Sequence, residues 1–189
     1  MSDELIEMVL EDSKERMDKA ITHARTEFGG IRSGRAAPQL VERMMVEAYG
    51  VDMRLVELAS VSVPEARQLM ITPHDPANLD SIERSIRNSD LGLSPSNDGR
   101  SIRLNFPPLT EERRKELVRV VKKMAEEGRI AVRNIRREAR RELEGAEKDS
   151  QMSSDDLKRA ESELDRVTQA AEAQIDEALE QKEKELLEV

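Results

Sequence analysis

The sequence predicts an α+β protein: an elongated three-helix bundle with an inserted small β/α/β domain. Three observations predict it. Three long stretches of the 189-residue chain carry apolar residues at helical spacing, one at the start and two at the end. The stretch between them carries alternating apolar residues in short runs, as strands require. A short connection joins the two later helical stretches, so they can pair antiparallel and leave a groove for the first. The bundle then comprises residues 1–30 and 107–189, and the inserted domain residues 31–106.

In the first helix, Ser2 is placed as N-cap, with Asp3 and Glu4 where the helix dipole favours negative charge. Met17, Ala20, Ile21, Ala24, Phe28 and Ile31 form its apolar stripe, and Gly29-Gly30 stop it. Leu40, Glu42, Met44, Val46 and Ala48 alternate as one strand over 40–49. Val61 and Val63 mark a second strand, and Leu69 and Ile71 a third, with Pro64 between them. Leu79, Ile82 and Ile86 mark a short helix after Pro76. Residues 94–99 read as a loop, and Ile102, Leu104 and Phe106 as a last strand before Pro107-Pro108. Thr110 with Glu111 and Glu112 opens the second long helix. Its stripe is Leu117, Val121, Met124, Ala131, Ile135 and Ala139, ending near Leu143, with Gly145 as the break. Ser153 and Asp156 resemble a capping box. Leu157, Leu164, Val167, Ala171, Ile175, Ala178 and Leu186 give the third stripe. At 1.5 Å per residue, each of the two later helices is about 50 Å long.

Composition excludes several functions. There is no cysteine, so disulfides, thiolate zinc sites and cysteine nucleophiles are ruled out. Aromatic residues make up only 2%, with no Trp, which speaks against base-stacking platforms. His23 and His74 lack a nucleophile or metal partner nearby in sequence, so neither metal nor cofactor is expected. No apolar run is long enough for a membrane span, and the acidic start lacks the basic residues of a leader; a cytoplasmic protein is expected. Gly29, Gly34 and Arg35 are a poor phosphate loop, since Arg35 replaces Lys, Ala36 replaces Ser or Thr, and a helix precedes.

Charge is unevenly spread. Residues 111–143 hold 12 basic and 7 acidic groups, whereas residues 144–189 hold 6 and 15. Arg129, Arg133, Arg136 and Arg140 are spaced to stack along one helical face, with Arg137 and Arg141 beside it. At about 100° per residue, that face lies roughly 120° from the expected apolar stripe, toward solvent or a partner. Arginine forks suit phosphate, so the face fits structured RNA. Charge alone favours a solvated surface laced to Glu126 and Glu138, or to the acidic third helix. A helical adaptor is a rival reading; it explains the long helices but neither the inserted domain nor the arginine row.

Four stretches then tell more: Ile31-Arg32-Ser33-Gly34-Arg35-Ala36, Leu58-Ala59-Ser60-Val61-Ser62-Val63, residues 107–115 from Pro107 to Lys115, and residues 129–137 from Arg129 to Arg137. With Asp90-Leu91-Gly92-Leu93, they resemble the bacterial ribosome recycling factor family, in order and along the whole chain. The resemblance implies an L-shaped pair of domains. It implies a monomeric translation factor, not an enzyme, that binds large-subunit ribosomal RNA and splits post-termination ribosomes with elongation factor G and GTP. Arg129, Arg133, Arg136 and Arg137 match the family's RNA-contacting arginines, and Arg140 extends the row. Arg32, Gly34, Arg35 and Pro107 match its hinge, which Asn105 adjoins. The chain departs from the family at Gly128, where Ala is common, at His74, where an aromatic is common, and at Val51-Asp52-Met53, which lacks a Pro-bearing turn.

Overall fold

In a computed structural model, which describes residues 2–188, the chain forms two compact units. One comprises residues up to Ile31 together with Glu111–Glu188, and the other comprises Arg32–Thr110.

The first unit holds three long helices: α1 (Ser2–Gly30), α5 (Glu111–Lys148) and α6 (Ser154–Leu187). Ser2 is already helical and is not the cap expected from the sequence. Cross-helix pairs fix the directions. Arg16 binds Glu138, whereas Ala24 lies near Gly128, so α1 and α5 run antiparallel. Arg140 binds Glu161, whereas Arg129 binds Asp176, so α5 and α6 are antiparallel as well.

The core stripe of α5 is Leu117, Val121, Ala125, Val132, Ile135, Ala139, Leu143 and Ala146. The expected members Met124 and Ala131 are only half-buried and flank it. α6 buries Thr168 where the sequence suggested Val167, and α1 buries Ser13. Both hydroxyls donate to the carbonyl four residues back, Thr168 to Leu164 at 2.7 Å and Ser13 to Val9 at 2.7 Å. Burial then leaves no unmet hydrogen bond. Small residues let the three helices approach closely. A Cβ on Gly128 would lie 3.3 Å from Ile175 Cδ1 and 3.4 Å from Ala24 Cβ.

Gly145 does not break α5. Leu143 and Ala146 stay buried on either side of it, and their packing outweighs the roughly 1 kcal/mol that a helical glycine costs. The helix ends three residues later. Ser150 takes a left-handed φ of 59°, and Gln151 N–H donates to Ala146 O at 2.9 Å. Ser153 does cap α6: its Oγ accepts from Asp156 N–H at 3.1 Å.

The second unit contains a two-stranded hairpin and a four-stranded antiparallel sheet. The hairpin pairs β1 (Met45–Ala48) with β2 (Val51–Arg54). The sheet order is β3-β4-β6-β5, from β3 (Ala59–Glu65), β4 (Gln68–Pro73), β5 (Pro95–Asn97) and β6 (Ile102–Asn105). The short helix α4 (Leu79–Arg87) buries Leu79, Ile82 and Ile86 in a core shared with Leu69, Ile71, Ile102 and Leu104. Helical turns α2 (Gln39–Glu42) and α3 (Leu55–Leu58) add Val41, Leu55 and Leu58.

Three expectations fail here for local reasons. The strand expected over 40–49 begins only at Met45, because Pro38 starts a helical turn and Glu42 N–H bonds Pro38 O at 3.0 Å. Pro64 does not separate two strands. It lies inside β3, an edge strand, at an irregularity in register between Ser62 and Glu65, where a missing N–H costs least. Residues 94–99 contain the short edge strand β5. The hairpin turn at Tyr49-Gly50 has φ of 54° and 76°, which suits a two-residue connection between twisted strands. Tyr49 tolerates this because its hydroxyl donates to Asp75 at 2.7 Å and accepts from Asn78 at 3.0 Å.

Candidate nucleic-acid interface

The α5 stripe that the structure buries is rotated relative to the expected one. Ala125 and Val132, rather than Met124 and Ala131, bring its centre to about 90° from the arginine row, at about 100° per residue. The row therefore lies on the flank of α5, within reach of α6.

Each arginine of that row meets a carboxylate of α6. Arg129 Nη2 is 2.7 Å from Asp176, Arg133 Nε 2.6 Å from Glu172, Arg136 Nε 2.6 Å from Asp165 and Arg140 Nε 2.9 Å from Glu161. Arg129 also binds Glu126 at 2.8 Å, and Arg140 binds Glu144 at 2.9 Å. Glu138 instead reaches α1, pairing with Arg16. Arg129 is the most enclosed, with 19% of its side chain exposed. Partial burial pulls its pKa down, but Asp176 and Glu126 more than compensate, so it is raised above the ordinary arginine value. The field of Glu161 and Glu144, with their hydrogen bonds, raises Arg140 likewise. Arg129 and Arg140 are thereby held as cations. Pairs this exposed contribute about 0–1 kcal/mol each, so a phosphate can compete for these side chains.

A second row of cations runs along the outer face of α5, opposite the buried stripe. Arg119, Lys123, Arg137 and Arg141 are exposed and have no ion pair among the described residues. The row spans about 33 Å at 1.5 Å per residue. Ile130, 48% exposed, lies between its two halves. Two acids near this face turn aside, Glu116 to Arg113 and Glu126 to Arg129, while Glu112 stays exposed at its N-terminal end. Arg137 was identified from sequence. Arg119 and Lys123 were missed, although their spacing of four, repeated at Arg137 and Arg141, marked the same face.

The proposed hinge residues all belong to the second unit. Gly34 has φ of 78°, and a Cβ there would lie 3.3 Å from Leu109 Cγ and 3.6 Å from Pro107 O. The two connecting segments thus run side by side. Ala36 N–H donates to Ala66 O at 2.9 Å, and Phe106 N–H to Arg67 O at 2.8 Å, which ties both to the β3–β4 turn. Asn105 ends β6, and its side chain accepts from Gln68 at 2.9 Å. Arg32 is exposed and Arg35 half-buried.

His23 is exposed, 3.6 Å from Glu27, and His74 is an exposed loop residue. Among the described residues no cluster of acidic, histidine or cysteine side chains could hold a metal, and no helix is long and apolar enough to cross a membrane.

The family model described as ribosome recycling factor matches residues 24–187. The chain is 53% identical to a ribosome-recycling factor of Shouchella clausii, over 94% of this chain and 96% of that one. A solution structure of a ribosome recycling factor superposes with a TM-score of 0.75 at 39% identity, covering 97% of this chain and 98% of that one. A second solved structure, at 43% identity and a TM-score of 0.63 over 96% and 98%, is that of the T. thermophilus ribosome recycling factor. It was built with E. coli elongation factor G on the E. coli post-termination complex. The chain belongs to the ribosome recycling factor family.

Proposed function

We propose that α5 is the surface by which this protein grips large-subunit ribosomal RNA while it recycles post-termination ribosomes. It is a translation factor and not an enzyme. It acts with elongation factor G, whose GTP hydrolysis drives the subunits apart, as the relative seen beside that factor suggests. It works as a monomer in the cytoplasm, where its substrate is.

The observation that carries the reading is the charge distribution of α5. Residues 111–143 hold five more basic than acidic groups, and Glu116 and Glu126 turn toward neighbouring arginines beside the outer cationic face. Arg137 meets phosphate directly. Arg129, Arg133, Arg136 and Arg140 flank it, in surface pairs that phosphate can exchange. Phosphate contacts position a protein without reading sequence, which suits a factor that must bind every terminated ribosome. The segment 144–189, with 15 acidic groups against 6 basic, is repelled by the same walls and fixes which face turns inward. The bundle (1–30 and 107–189) supplies the grip. The inserted domain (31–106) takes the push, through a hinge at Arg32, Gly34, Arg35, Asn105 and Pro107.

The test is binding of Arg136→Ala and Arg137→Ala to purified large subunits across a salt series. Each should weaken binding about tenfold, the loss of a charge-assisted hydrogen bond, with helicity unchanged. Unchanged affinity in folded variants would contradict the reading.

A further inference from the structure

Four of the five arginines assigned to RNA are already occupied, Arg137 being the exception. Asp176, Glu172, Asp165 and Glu161 on α6 hold Arg129, Arg133, Arg136 and Arg140 in turn at 2.6–2.9 Å, descending α6 as α5 ascends. We propose that these four carboxylates are specificity-determining residues that suppress binding to RNA at large. The proposal rests on the reading that the row binds phosphate.

An RNA helix arriving at the outer face meets Arg119, Lys123, Arg137 and Arg141 without displacing anything. To gain the flank row as well, it must exchange each carboxylate for a phosphate. One such exchange swaps one anion for another and gains little. It also leaves a freed carboxylate close to RNA, which repels. Only an RNA surface that presents several phosphates in the register of the row, while keeping clear of α6, collects the whole set. The acids thereby penalise a generic duplex more than a shaped cleft. They also hold the arginine forks in line along the flank, so less side-chain freedom is lost on docking.

The experiment compares the full-length protein and its variants on a short generic RNA duplex and on purified large subunits, at one fixed salt concentration. Asp165→Asn with Glu172→Gln should raise affinity for the duplex about fivefold, the release of two surface pairs, and raise subunit affinity less. The control is Glu177→Gln with Glu180→Gln. Both are exposed residues of α6 with no partner among the described residues, so the change in net charge is the same. A gain in the control equal to that in the test pair would overturn the proposal, because bulk charge would then explain it. Arg133→Ala with Arg136→Ala separates the two claims. If these weaken binding while the acid variants leave the duplex unaffected, the proposal falls and the RNA reading stands. If the arginine variants change neither affinity, both fall. Should the first acid pair fail to fold, Glu161→Gln with Asp176→Asn tests the same claim.

Discussion

Gly128 of α5 faces Ala24 of α1 and Ile175 of α6, and replacing it separates two contributions that the fold combines. An interior helical glycine costs about 1 kcal/mol relative to alanine. Against that gain stands the space for one methyl group. The new Cβ would lie 3.4 Å from Ala24 Cβ, an ordinary contact, and 3.3 Å from Ile175 Cδ1, the end of a flexible side chain. Turning Ile175 aside costs about 0.5 kcal/mol. Gly128→Ala should therefore stabilise the bundle by about 0.5 kcal/mol and raise its melting temperature by about 1–2 °C. Leucine has nowhere to go, since Ile175 is 0% and Ala24 1% exposed. Gly128→Leu should destabilise by about 2 kcal/mol or more through overpacking. Urea titration followed by helical circular dichroism, with thermal melts, reads both. A loss of more than about 1 kcal/mol in the alanine variant would refute the reasoning, because helix propensity would then be the minor contribution. A tolerated leucine would refute it from the other side, showing a loose crossing.

Other expectations concern caps, turns and acid. Ser153→Ala removes the acceptor for Asp156 N–H and should cost about 1 kcal/mol in the same urea titration. Gly34→Ala forces a left-handed φ of 78° on a side chain that meets Leu109 at 3.3 Å. It should cost about 1–2 kcal/mol, and subunit splitting should fall more than subunit binding if this segment is the hinge. Asp98 is held below its ordinary 3.8 by the backbone N–H groups of Ser101 and Arg100, and Asp75 by the Tyr49 hydroxyl and Ala77 N–H. Folded values below unfolded ones mean that this stabilisation is present above pH 3.8 and is lost as pH falls through the lowered values. Near-neutral acidification should leave the inserted domain intact, and Asp98→Asn should flatten its stability profile below pH 4 in a titration followed by NMR.

Much of the fold was legible because periodicity reports burial. Long helices repeat the signal many times, so α1, α5 and α6 were found despite errors at single positions. Those errors share a cause. Ala125, Ser13 and Thr168 are buried but carry weak hydrophobic signals, whereas Met124 and Val167 carry strong ones at the stripe's edge. In a close-packed crossing, small size decides which residue enters. The short elements were harder to read. Over residues 39–48 the alternation was accidental, because Pro38 set a helical turn that no period-two pattern reveals. The arginine row was visible as a row, but its orientation was not. Moving the stripe by one residue at two positions turned an outward face into a flank paired with α6. Pairing of the row to the acidic third helix was legible from charge, but not the individual partners, as in Arg136 with Asp165 29 residues on.

Subunit splitting, followed by light scattering, tests the central claim most directly. The protein would be added to post-termination ribosomes with elongation factor G and GTP. Splitting should require both factors, and Arg136→Ala with Arg137→Ala should slow it while added salt narrows the difference. Splitting that proceeds at full rate with the arginines removed, or none at all with a folded protein and a matched elongation factor G, would contradict the account.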